Sequence, residues 1–160
     1  MNTGLMNILS PFWKTWLVAF SYVVIGFGVV LATAGFELTR GLAYGVLDLL
    51  SQAPAPEPND TLDFTLGLVG CVTLGWGLTL LGAVRVTPHL TADSVPVLWR
   101  LIALSMVVWY VTDSWISVRT GFGLNAVSNT VLTLALLIPI WRCRLLSTAA
   151  SAVPAGAMSS

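Results

Sequence analysis

The sequence predicts an all-α membrane protein, a four-span transmembrane helix bundle with a short amphipathic helix on its outer side. Three observations predict it. Of 160 residues, 56% are hydrophobic and 9% charged, whereas soluble domains carry about 25% charged residues, so a globule of this size has too little polar surface for water. The seven basic and seven acidic side chains cancel, which removes the electrostatic footprint of a nucleic-acid binder. The few charges are also spaced so that long uncharged runs lie between them.

Those runs define the spans. Between Lys14 and Glu37 lie 22 uncharged residues, between Asp63 and Arg85 lie 21, and between Arg119 and Arg142 lie 22. A hydrocarbon core of about 30 Å needs about 20 helical residues, so spans are expected at about 15–36, 64–84 and 124–141. A fourth is expected over 97–118 although it holds Arg100 and Asp113. Arg100 lies one turn in, where its stem can snorkel, and Asp113 lies about 7–8 Å below the opposite surface. Residues 1–146 thus form a single transmembrane bundle, and the Ala/Ser-rich stretch 147–160 is expected to be a disordered cytoplasmic tail.

The boundaries carry their own signals. Residues 53–60 (APAPEPND) read as a solvated linker, with Asp60 or Thr61 capping the helix that follows. Ser94 and Pro96 mark the start of the third span. Pro139 sits inside the fourth, a break tolerated in lipid when a neighbour satisfies the freed carbonyl. Residues 37–52 alternate Leu42, Val46, Leu49 and Leu50 with Glu37, Arg40, Asp48 and Gln52 at helical spacing. They are expected to lie on the outer face as a lid.

Basic residues retained in the cytoplasm set orientation. With both termini inside, Lys14, Arg85, Arg100, Arg142 and Arg144 are inside and only Arg40 and Arg119 outside. Trp13, Trp16, Trp99 and Trp141 would form an aromatic belt at the inner boundary. The competing signal-peptide reading, with Ala32-Thr33-Ala34 as cleavage site, has an apolar run too long for that role and no preceding basic cluster.

Helix association in lipid favours close backbone approach. Gly67, Cys71, Gly75 and Thr79, extended by Gly82, form a small-residue row on the second span, and Gly28 with Ala32 and Gly35 offers the facing row on the first. The same row could serve a homo-oligomer or a larger membrane complex. Thr33–Leu38 faintly echoes Arg119–Leu124, as a two-helix duplication would require.

One residue asks for a function. A carboxylate inside a span costs up to about 2.5–3.5 kcal/mol, less near the surface, so Asp113 must be paired or active. Tyr110 and Ser117 share its helical face, Asn125 and Asn129 begin the next helix, and Arg40 and Arg119 lie near its depth. The expected polar cluster is therefore Asp113, Tyr110, Ser117, Asn125, Asn129, Arg119 and Arg40. Tied by an arginine, it fixes helix register in a structural or accessory membrane component, which is the favoured reading. Left free, it serves a small proton- or solute-linked transporter.

Leu74–Arg85 (LGWGLTLLGAVR) and Trp109–Thr130 (WYVTDSWISVRTGFGLNAVSNT) resemble segments of uncharacterised small four-helix bacterial integral membrane proteins. That resemblance implies the same helix count and a bacterial inner (plasma) membrane location. It lends no activity and no catalytic residues. No enzyme is expected, and neither cofactor nor metal: His89 is the sole histidine. Cys71 and Cys143 differ in depth by about 20 Å, too far for a disulfide. No phosphate-loop, nucleophile-elbow or zinc-protease motif occurs. The partner expected with most reason is the lipid bilayer itself.

Overall fold

The computed structural model describes residues 9–52 and 57–147. It is 83% helical, with no strand among the described residues. The helices are α1 (Pro11–Ala32), α2 (Arg40–Leu50), α3 (Asp60–Val86), α4 (Ser94–Arg119) and α5 (Gly123–Arg142). All but α2 are long and apolar enough to cross a membrane. The expected tail lies outside the described residues from position 148, as does the centre of the Pro-rich linker, 53–56.

Each terminus has a local cause. Ser10 caps α1 by accepting from the Trp13 N–H at 3.4 Å, and Pro11 opens the helix. α3 is capped by Asn59, which accepts from the Leu62 N–H at 3.0 Å. Asp60 and Thr61, expected in that role, fall inside the helix, where Asp60 and Asp63 complement its positive end. Thr91 Oγ1 accepts from the Ser94 N–H at the start of α4. The α4–α5 turn passes through Gly121 at φ +86°, a left-handed conformation glycine adopts without strain. After α1 the chain instead forms a 3-10 turn over Thr33–Gly35 and then α2. The two segments suspected of duplication therefore take unrelated paths.

Outward-facing positions of the long helices are apolar. Val23, Phe64, Val72, Leu101, Leu104 and Val111 are all more than half exposed. Water does not tolerate so continuous an apolar surface on a monomer, whereas lipid tails do. A multi-pass membrane protein follows.

α1 and α3 pack closely, α4 and α5 pack closely, and the two pairs meet sparsely. Glycine makes the first contact. A methyl group on Gly28 would collide with the backbone of Leu74, one on Gly70 with that of Ala32, and one on Gly77 would stand 2.9 Å from Ile25 N. A methyl group on Gly67 would lie 3.5 Å from Gly35 N, in ordinary contact. Gly28 and Gly67 thus hold the expected interface, but Cys71, Gly75 and Gly82 do not. Cys71 is exposed and nothing approaches either glycine. The row runs Gly67, Gly70, Leu74, Gly77, and alternating steps of three and four keep to one face of a helix with about 3.6 residues per turn. Strict steps of four rotate off the interface.

The packed core lies at the end where α1 begins and α5 finishes. Leu9, Leu17 and Phe20 from the start of the chain meet Leu80 and Val84 of α3, Trp99 and Met106 of α4, and Leu136, Ile140 and Leu145. Trp99 is fully buried and donates its indole N–H to Thr87 Oγ1 at 3.0 Å. It is a core residue, not the belt residue its sequence position suggests. Arg100 donates from Nε and Nη2 to the Leu146 carbonyl at 3.0 and 2.7 Å, closing the end of α5.

Candidate functional site

Away from that core the two helix pairs part. A half-open cleft of about 980 Å³ lies between them, with α2 across its end and the exposed Val23 and Val72 on its rim. Its walls are Phe27 and Leu31 of α1, Val46 and Leu50 of α2, Val69 and Trp76 of α3, Trp109 and Asp113 of α4, and Asn129 and Leu132 of α5, among others. The volume is in the upper part of the ~300–1,000 Å³ range of small-molecule sites. Asp113 is the only charged residue among the described ones that line it.

α2 is strapped over the cavity from two sides. At one end Arg40 pairs with Asp63 of α3 at 3.3 Å, and the Tyr44 hydroxyl donates to the other oxygen of that carboxylate at 2.8 Å. Burial, and next the hydrogen bond to Asp63, push the Tyr44 phenol above its ordinary pKa. At the other end the Gln52 N–H donates to the Gly121 carbonyl at 3.1 Å. Ala43, fully buried, lets the helix lie close to its neighbours. The amphipathic pattern of 37–52 is thus a helix seven-tenths that long, whose apolar side roofs the hollow.

Asp113 is bound by amides. Its Oδ2 accepts from Asn125 Nδ2 at 3.1 Å and from Asn129 Nδ2. Ser117 Oγ accepts from Asn125 at 2.8 Å and donates to the Asp113 main-chain carbonyl at 2.7 Å. These four residues are the expected cluster, brought together by helical spacing along α4 and by the tight turn into α5.

Three expected members are absent from it. Arg40 is engaged by Asp63, because α2 lies against α3 at that point. Arg119 is exposed, at the helix end, and the described residues show no ion pair to it. Tyr110 reaches past the cluster, its hydroxyl 3.1 Å from Thr130 Oγ1. The space beside the cluster has one unforeseen lining residue, Trp76, whose ring lies 6.0 Å from that of Trp109, four residues before Asp113. A tryptophan in the middle of a span rich in leucine and glycine was its only sequence signal.

Cys71 and Cys143 are both free, as their depths required. Compared with known proteins, the chain matches no family model, no curated protein and no solved structure.

Proposed function

We propose that this protein is a small solute-binding carrier of the membrane, in which an apolar or amphiphilic molecule occupies the cavity and Asp113 is its polar contact. The observation that carries the reading is a cavity of about 980 Å³ with Asp113 in its wall. A carboxylate serving only helix register is expected to be tied by a cation, yet Arg40 is engaged elsewhere and Arg119 faces outward. A purely structural or accessory bundle also gains stability by closing a hollow, because unfilled space forfeits dispersion contacts along its lining. Support for this reading therefore comes from an unclosed space and an unpaired charge at the same place.

The carrier sits in the bacterial inner membrane with both termini in the cytoplasm, a placement supported by Lys14, Arg85, Arg100 and Arg142 at the end opposite α2. Its activity is binding and movement of a solute, not covalent chemistry. The test is saturable uptake of the apolar dye N-phenylnaphthylamine by the protein in nanodiscs, measured against empty discs. Saturable enhancement that is lost when Thr73→Trp and Leu132→Trp fill the cavity is expected. No enhancement above empty discs would return Asp113 to a scaffolding role.

A further inference from the structure

The donor and acceptor inventory of the cavity names the class of its occupant. Every donor of the Asp113 cluster is directed inward. Both asparagine amides give N–H groups to the carboxylate or to serine hydroxyls, since an amide oxygen turned toward a carboxylate would be repelled. Ser117 donates to its own helix. So do the hydroxyls of Thr73, Ser105 and Thr120, each to a carbonyl three or four residues back, which leaves the Ser128 hydroxyl and the indole N–H groups of Trp76 and Trp109 as uncharged donors on the lining. At the cluster itself acceptors are left: Asp113 Oδ1 and the two asparagine carbonyl oxygens have no hydrogen-bond partner among the described residues, and Asp113 carries the one charge on the lining. No cation lines the space. One turn along α4 from Asp113 stands the Trp76–Trp109 pair, whose ring faces attract cations.

An apolar cleft with one carboxylate unpaired by any cation, acceptor oxygens around it and indoles beside it is complementary to a positively charged N–H donor on an apolar body. We propose that the occupant is a cationic amphiphile, a single-chain ammonium compound whose head binds Asp113 and whose chain lies along α2, α3 and α5. This rests on the carrier reading above and specifies its solute. Phospholipid phosphate groups and fatty acids are disfavoured, because their anionic oxygens would meet Asp113 with no cation to offset it.

The test separates head group from chain. Dodecylammonium, dodecanol and dodecylsulfonate share one apolar body. Each is titrated at neutral pH into the full-length protein in phosphatidylcholine nanodiscs, read by tryptophan emission and calorimetry against empty discs. The ammonium should bind about tenfold or more tighter than the alcohol, because a hydrogen bond between charged groups is stronger than one to a neutral hydroxyl, and the sulfonate weakest. Asp113→Asn should bring the ammonium down to the level of the alcohol, and Asp113→Glu should keep the preference. The wild-type series decides the matter even if a variant fails to fold. Equal affinity for all heads, or preference for the sulfonate, overturns the cationic assignment while leaving the cavity as a binding site. Saturable binding of none of the three overturns the carrier reading as well.

Discussion

The indole N–H of Trp16 on α1 donates to the carbonyl of Ala135 on α5 at 2.8 Å, and that carbonyl is the one Pro139 leaves without a helical partner. A buried proline in the last turn of a membrane-crossing helix is thereby made compatible with the rule that backbone polar groups be satisfied inside the bilayer. It also fastens α1 to α5. Trp16→Phe is expected to cost between about 0.6 and 1.7 kcal/mol, the range of interhelical hydrogen bonds in membranes. Pro139→Ala restores an N–H within reach of Ala135, so the loss from Trp16→Phe should shrink in that background. Thermal unfolding of the four proteins in detergent gives the coupling. Equal losses with and without Pro139 would break the link between the two residues.

The α1–α3 interface gives a second contrast. Gly70→Ala places a methyl group against the backbone of Ala32, and Gly75→Ala places one in open space. The first should lower stability by about 1–3 kcal/mol, the usual cost of overpacking. The second should be neutral or slightly stabilising through helix propensity. Melting temperatures of the two variants, measured side by side, check the register of the glycine row.

That register marks the boundary of what the sequence discloses. Span number and approximate limits were legible because length and charge spacing are set by the bilayer alone. The pairing of Asp113 with Asn125 and Asn129 was legible because both sides are local, four-residue steps along two helices joined by a short turn. Arg40 was misplaced because its partner depends on how α2 lies on α3, a tertiary relation no local pattern encodes. The choice among several small-residue rows on α3 depends in the same way on the partner helix. The cavity had no signal at all, since a hollow is an absence of side chains between elements and the same leucines and valines line a packed core.

The strap that holds α2 is sensitive to alkali. Burial and the Asp63 carboxylate raise the pKa of Tyr44 above its ordinary 10.0. A folded-state pKa above the unfolded one gives a stabilisation fully present below the unfolded value and lost as pH rises through the folded value. Docking of α2 should therefore be constant up to about pH 10 and weaken above it. The phenolate absorbance of wild type minus Tyr44→Phe isolates this residue from the other two tyrosines. Its midpoint should lie above 10.0 and move down in Asp63→Asn, which removes the negative charge beside the phenol. A midpoint unmoved by that substitution would detach Tyr44 from Asp63.

The last contrast sets the two kinds of neighbour of Asp113 against each other. Arg119 is exposed, so Arg119→Ala should change stability by no more than about 0.5 kcal/mol, as surface substitutions do. Asn129 is 3% exposed and gives its amide N–H groups to Asp113 and Ser114. Asn129→Leu keeps the volume and removes the donors, leaving a partly buried carboxylate with one amide instead of two. The expected loss is about 1–3 kcal/mol, the cost of leaving a buried polar group short of a partner. Unfolding in detergent measures both. If Arg119→Ala proved the more damaging, a guanidinium would be holding the carboxylate, and the acceptor-rich face it turns to the cavity would already be neutralised. The amide-held arrangement predicts the opposite order, because an amide orients an anion without cancelling its charge, and that retained charge is what an incoming cation would meet.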